Sequence, residues 1–131
     1  MNARTLAATV AAVGLLLSAC AGADAAAEEE PRQVRITMGE MYFTATDTLF
    51  EVGVPYRFVL ENRGRMAHEW AVVPRGEPDE SNLLFEVEED ELPPGAVVER
   101  EFVFSEPGEY DFSCFLPGHH EGNMILPIRV H

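Results

Sequence analysis

The sequence predicts an all-β fold, a two-sheet Greek-key β-sandwich of seven or eight short strands within residues 32–131. The first observation behind this prediction is the alternation of apolar and polar residues in short segments, which is typical of strands with one buried face. The second is that turn-forming residues separate these segments. The turns are expected at Gly53-Val54-Pro55, Asn62-Arg63-Gly64, Pro93-Pro94-Gly95 and Pro107-Gly108.

The alternation also predicts which side chains point into the core, strand by strand. In chain order they are Val34, Ile36 and Met38; Tyr56, Phe58 and Leu60; His68, Trp70 and Val72; Tyr110, Phe112 and Cys114; and Met124, Leu126, Ile128 and Val130. The segment 75–92 has no clear period, and we expect a loop, an edge strand or one helical turn there. A chain of this length encloses one core, so a single domain is expected.

The N-terminal residues 1–19 have the composition of a secretory signal peptide. Arg4 precedes an apolar run, Leu6 to Leu17, that is too short to cross a bilayer as a permanent helix. The run ends in LSAC, which resembles a bacterial lipobox, so Cys20 is expected to carry a lipid; ordinary cleavage beside an incidental cysteine is the alternative. Residues 20–31 predict a flexible acidic tether. We therefore expect a lipid-anchored protein of the cell envelope, on the periplasmic side or the outer face of a membrane.

The charge of the chain limits its partners. Lysine and arginine together number 9 against 23 acidic residues, which gives a formal net charge of −14. Nucleic acids and anionic membrane surfaces are therefore poor partners. The acidic run 86–91, EVEEDE, has two interpretations: a docking surface for a basic protein, or a solvated edge that needs no partner.

The segment 114–124, CFLPGHHEGNM, combines a thiol, two imidazoles and a thioether. If Cys20 is lipidated, Cys114 is left without an intramolecular disulfide partner; it is then reactive, paired with another chain, or protected by a metal. The strand pattern places Cys114 and Met124 on inward-facing positions at the two ends of the loop. Thiolate and thioether donors favour copper, whereas structural zinc sites use additional cysteines that this chain lacks.

A copper site with one thiolate and one weak thioether is completed by two imidazoles, and the chain has four histidines. His68 is expected to face inward beside Trp70, near the start of an apolar strand. In the loop, His119 follows a Pro-Gly turn that would present it, and His120 stands next to it. His131 is expected to be exposed to solvent.

Several stretches together resemble the small blue copper proteins, the cupredoxins of the plastocyanin and azurin kind. They are NRGRMAHEW, LPPG at 92–95, PGEYDFSC, and the loop itself, whose C-x4-H-x4-M spacing is similar to that of rusticyanin. The resemblance implies a mononuclear type 1 copper site with His68, Cys114, His119 and Met124 as ligands, and His120 as a solvent-exposed neighbour. It also implies that electrons leave through His119, surrounded by Phe115, Leu116 and Pro117. Related loops commonly have glycine immediately before the methionine, where this chain has Asn123.

The resulting expectation is a monomeric electron-transfer protein that is not an enzyme. Its single copper ion would alternate between Cu+ and Cu2+ and shuttle electrons between envelope redox partners such as a cytochrome, oxidase or reductase. The alternative function is that of a copper carrier or copper-resistance protein. A copper enzyme is disfavoured because only His120 and His131 remain for a second site. Met38, Met41 and Met66 are interpreted as core filler rather than as a copper(I) relay.

Overall fold

Nine β-strands form two sheets in the computed structural model, which describes residues 29–76 and 78–131. The strands are β1 (Arg32–Gly39), β2 (Tyr42–Ala45), β3 (Leu49–Phe50), β4 (Pro55–Asn62), β5 (Trp70–Pro74), β6 (Phe85–Val87), β7 (Val97–Val103), β8 (Gly108–Ser113) and β9 (Ile125–Val130). A single 3-10 turn, Glu80–Asn82, is the only helical element among these residues. The predicted signal peptide and Cys20 lie outside the described residues, as does most of the tether.

The predicted all-β sandwich is confirmed, with one difference in the number of strands. The four-stranded sheet has the order β2-β1-β4-β7, and the five-stranded sheet has the order β3-β9-β8-β5-β6. The prediction of seven or eight strands was too low because β3 and β6 are edge strands of two and three residues. Such short strands contain too few residues to show an alternation. Within segment 75–92 the chain forms both the helical turn and an edge strand, which the sequence offered as alternatives.

The core lies between the sheets and is rich in aromatic side chains. Phe58 of β4 is fully buried, and its ring centroid lies 5.0 Å from that of Trp70 and 5.9 Å from that of Phe112, both in the other sheet. Tilted and edge-on ring pairs of this kind add to the free energy of burial. Because β5 and β8 enter this core side by side, the residues at their ends are held in a defined place.

Arg75, which follows β5, fastens three strands at one end of the five-stranded sheet. Its guanidinium donates to the carboxylates of Asp111 (3.0 Å) and Glu109 (2.6 Å), and to the backbone carbonyls of Tyr110 (3.2 Å) and Ile128 (3.0 Å). The side chain is 35 % exposed. A planar guanidinium has several donors in a fixed geometry, so one residue can hold β5, β8 and β9 together.

We expect the Arg75→Met substitution to lower the free energy of unfolding by about 2 kcal/mol, since it removes several charge-assisted hydrogen bonds while keeping the length of the side chain. Denaturant unfolding of the metal-free protein measures this value. The matched control is Arg57→Met, because Arg57 pairs on the surface with Glu101 and should contribute less than about 1 kcal/mol. Equal losses of unfolding free energy in the two variants would contradict the role of Arg75 in holding the three strands together, which we call the Arg75 clamp.

No helix among the described residues is long and apolar enough to cross a membrane.

Candidate metal centre

Three potential metal donors meet at one end of the sandwich. The side chains of His68, Cys114 and His119 are buried, and one donor atom from each lies within 4.8 Å of the others. The Sγ atom of Cys114 is 3.2 Å from Nδ1 of His119, and the rings of the two histidines have centroids 5.2 Å apart. The fourth predicted ligand, Met124, is fully buried in the same apolar cluster as Cys114.

His68 is positioned by hydrogen bonds around the turn that precedes β5. Its backbone N–H donates to the carbonyl of Leu92 at 3.2 Å. The buried amide of Asn62 donates to the carbonyls of Leu92 and Met66, both at 2.8 Å, and accepts from the N–H of Gly64 at 2.9 Å. Asn62 thus holds the entire segment that leads to His68. From the sequence, Asn62 was expected only to form a turn; the signal for its further role was an asparagine at the buried end of a strand.

Glu69 connects the segment of His68 to the loop of residues 114–124, called the ligand loop below. Its backbone N–H points to Sγ of Cys114 at 3.5 Å, and its carboxyl oxygen accepts from the N–H of Phe115 at 3.3 Å. Burial, partly offset by that N–H, raises the pKa of Glu69 to about 7. No feature of the sequence indicated this role, since an acid next to a predicted ligand looks like any exposed strand residue.

The Cys114 thiol is fully buried and shielded from solvent. Burial raises the pKa of Cys114, while the N–H groups of Glu69 and Leu116 act in the opposite direction. In the absence of a cation the thiol therefore retains its proton. Because metal binding requires the thiolate, a bound cation would have to displace that proton.

The loop from Cys114 to Met124 folds through consecutive turns. The N–H of His119 donates to the carbonyl of Leu116, and the N–H of Met124 donates to the carbonyl of His119, both at 2.9 Å. Gly118, which immediately precedes His119, has φ 83°. The N–H of Cys114 faces the carbonyl of Met124 at 3.4 Å, so the two ends of the loop are joined. These turns fix the direction in which the His119 ring enters the site.

Asn123 occupies the position at which related loops commonly have glycine, and it has φ 68°. Asparagine tolerates this left-handed conformation better than most residues with a side chain. We expect Asn123→Ala to lower the free energy of unfolding of the metal-free protein by about 1 kcal/mol. Asn123→Gly is the matched control and should change it by less than about 0.5 kcal/mol, because glycine adopts positive φ freely. Thermal unfolding compares the two variants, and an alanine variant as stable as the glycine variant would contradict the strain.

The other two histidines do not join the three donors. His131 is exposed at the C-terminus, as expected. His120 differs from the expected solvent-exposed neighbour, because it is half-buried and its Nδ1 lies 2.7 Å from Oγ of Ser113. Its ring also stacks on Phe115, with centroids 5.2 Å apart and an interplanar angle of 15°. His120 therefore stabilises the loop that carries its neighbour, His119.

The methionines are divided between core and surface. Met38 is fully buried and fills the core, as interpreted from the sequence. Met41 and Met66 are 44 % and 51 % exposed, so the interpretation of these two as core filler was wrong. Met41 reaches the ligand loop, since its sulfur would lie 3.0 Å from a Cβ added at Gly122. Together with the partly exposed Leu116, Met41 gives the loop an apolar rim.

The residues fit a soft metal ion. Both ring nitrogens of His68 are buried and have no hydrogen-bond partner within the described segments. Burying an unpaired polar atom is costly, and coordination of a metal would satisfy one of these nitrogens. One thiol and two imidazoles, with a buried thioether on the same loop, form the donor set that suits copper.

A comparison with known protein families agrees with this arrangement. The sequence model of the cupredoxin-like domain family matches residues 8–126. The chain belongs to the cupredoxin-like family. The fold of this cupredoxin resembles that of auracyanin A, a "blue" copper protein from Chloroflexus aurantiacus. That similarity has a TM-score of 0.61 and 23% sequence identity, and covers 78% of this chain and 100% of auracyanin A.

Two curated relatives are also similar in sequence to the cupredoxin. One is the copper-resistant cuproprotein CopI of Pseudomonas aeruginosa, which is 22% identical over 97% of both chains. The other is the copper-resistant cuproprotein CopI of Rubrivivax gelatinosus, which is 26% identical over 79% of this chain and 69% of the relative. The alignment with the Pseudomonas protein thus extends across nearly the whole chain.

Proposed function

We propose that this cupredoxin holds one copper ion and transfers single electrons between redox proteins of the cell envelope. His68, Cys114 and His119 would bind the ion, and Met124 would add a weaker thioether donor. The observation that carries the proposal is the clustering of three buried donors on elements already fixed by hydrogen bonds. Bound copper would supply a one-electron change between Cu2+ and Cu+.

The protein residues contribute rigidity and a path for the electron. Asn62, Glu69 and the turns of the loop hold the donors in place, so little has to move when the charge of the ion changes. The N–H of Glu69 points at the sulfur and would stabilise its negative charge. Among the four ligands, only His119 has any exposed surface, at 4 %. The edge of its ring is therefore the natural point of electron entry and exit.

A basic redox partner is part of this proposal. Glu86, Glu88 and Glu89 are exposed on and after β6, whose Val87 pairs with Trp70 of β5. Just beyond this acidic run, the carbonyl of Leu92 accepts from His68. The acidic surface thus flanks the metal end of the sandwich and would orient a positively charged cytochrome, oxidase or reductase towards it.

Repeated reduction and reoxidation of the copper(II)-loaded protein tests electron transfer. We expect an intense visible absorption from the bond between thiolate and copper, which bleaches on reduction and returns in full over many cycles. Copper measured after each cycle should remain at one ion per chain. Loss of copper on reduction would contradict the role of an electron carrier.

Copper storage or delivery is the second candidate function. It is favoured by the likeness to the copper-resistant cuproproteins CopI, of which the Pseudomonas protein aligns over 97% of both chains. A carrier should give up copper(I) rapidly to a competing thioether or thiolate chelator, whereas an electron carrier should retain it. The rate of that exchange distinguishes the two functions.

The proposal places the protein outside the cytoplasm, attached to a membrane through lipid on Cys20. Fractionation of cells that express Cys20→Ser tests the anchor. The wild-type protein should be found with membranes, and the variant should appear in the soluble fraction or remain unprocessed. A Cys20→Ser variant that is processed and still associates with membranes as the wild type does would contradict lipidation at Cys20.

A further inference from the structure

Glu40 lies in the turn between β1 and β2, at the same end of the sandwich as the metal donors. Its carboxylate accepts the backbone N–H groups of Arg65 and Met66, the latter at 3.0 Å. The bond from Arg65 is the main cause that lowers the pKa of Glu40, so the group is ionised at neutral pH. A negative charge is therefore attached to the turn that leads directly into His68.

Only a glycine separates this charge from the buried imidazole. A Cβ added at Gly64 would lie 2.6 Å from Oε1 of Glu40 and 3.0 Å from Nε2 of His68. The carboxylate and the ring thus both border the space that a side chain at Gly64 would occupy. Gly64 does not have a positive φ, so its lack of a side chain serves this close approach rather than the shape of the turn.

No hydrogen bond within the described residues fixes the tautomer of the His68 ring. Nε2 of His68 is buried and has no hydrogen-bond partner in the part of the chain that the structure describes. A neutral imidazole carries its proton on one of its two nitrogens, and the group facing the ring selects which. A carboxylate beside Nε2 favours the proton on that atom. Nδ1 is then unprotonated, and its lone pair is free to bind a metal.

We propose that Glu40 is a positioning residue for His68: across Gly64 its carboxylate faces Nε2, keeps the proton there, and directs Nδ1 towards the metal. The negative charge also makes the imidazole a stronger donor, as carboxylates behind metal-bound histidines do. It therefore favours Cu2+ over Cu+ and lowers the reduction potential of the site. This inference deepens the proposed function, because it takes His68 as a copper ligand.

Two substitutions separate the charge from the contact. Glu40→Gln keeps an oxygen for the N–H groups of Arg65 and Met66 but removes the charge. Gly64→Ala keeps the charge but inserts a methyl group 2.6 Å from the flexible carboxylate, which has to move away, and 3.0 Å from Nε2 of His68, so only Glu40→Gln tests the charge by itself. The control is Glu121→Gln, which removes an equal charge from an exposed position in the ligand loop.

The first measurement uses the metal-free protein, so that it does not depend on copper binding. Nitrogen-15 NMR of the His68 ring, at a fixed pH where the imidazole is neutral, gives the ratio of its two tautomers. We expect the Nε2–H form to dominate in the wild type, and its ratio to the Nδ1–H form to fall about tenfold in both Glu40→Gln and Gly64→Ala. The control should stay within twofold of the wild type.

The second measurement is the reduction potential of the copper-loaded proteins. Relative to Cu+, Cu2+ should bind about tenfold more weakly to Glu40→Gln and Gly64→Ala, which corresponds to a rise of about 59 mV for one electron. An unchanged tautomer ratio in Glu40→Gln, or an equal shift of the potential in the control, would overturn the inference. If the wild type binds no copper but the tautomer ratio falls in Glu40→Gln as expected, the proposed function is refuted and the role of Glu40 is supported.

Discussion

The Cys114→Ser substitution is expected to abolish the intense visible absorption of the copper-loaded protein. A serine hydroxyl cannot form the bond between thiolate and copper that produces this absorption, and it is a harder donor in a site suited to soft ligands. We also expect the affinity for copper(I) to fall by more than about a hundredfold, since even residues behind the ligands change affinity by up to that factor. Absorption spectra and competition with a copper(I) chelator measure the two effects.

The matched control is Ser113→Ala, one residue before the cysteine. It removes the hydroxyl that bonds to His120 but leaves the three clustered donors intact. Its absorption band should therefore persist, with at most a small change in loop stability. If the Cys114→Ser variant still showed the absorption band, another residue would have to supply the sulfur donor, and the assignment of Cys114 would be wrong.

The Phe58→Ala substitution is expected to lower the free energy of unfolding by about 3–5 kcal/mol. Phe58 is fully buried and lies between the two sheets, against Trp70 and Phe112, so its removal leaves a cavity that the surrounding rings cannot fill. Small domains are typically stable by only about 5–15 kcal/mol, so this loss would consume much of the total. Denaturant unfolding of the metal-free protein is the appropriate measurement, because bound copper would add its own stabilisation.

Val97→Ala is a suitable comparison for the Phe58 variant. Val97 lies on the edge strand β7 and is 60 % exposed, so its truncation should cost less than about 1 kcal/mol. A Phe58 variant that lost no more than the Val97 variant would contradict the central position of this ring in the core.

The metal end of the molecule combines features with different origins in the chain. The loop brings Cys114, His119 and Met124 together within eleven residues, positions 114–124, and its turns are local. His68 comes from a distant segment that is held by Asn62 and Glu69. Binding of a metal would therefore join the two segments and is expected to stabilise the fold as a whole.

The sequence by itself determined the class of fold and the identity of the candidate donors. Alternating apolar residues and Pro-Gly turns are local properties, so they predicted strands and their inward faces, including those of His68 and Cys114. The donor atoms in CFLPGHHEGNM are likewise a property of one continuous segment. The softness of its two sulfur donors is a property of the residue types alone, and it was enough to indicate copper.

Only the tertiary structure decided how the site is supported. The Arg75 clamp, the contact of Glu69 with Phe115, and the approach of Glu40 to His68 each join residues that are far apart in the chain. These contacts depend on which strands become neighbours and on their register. The alternation of apolar and polar residues along a strand specifies neither. The number of strands was missed for a related reason, since edge strands as short as β3 are defined by their partner and not by their own sequence.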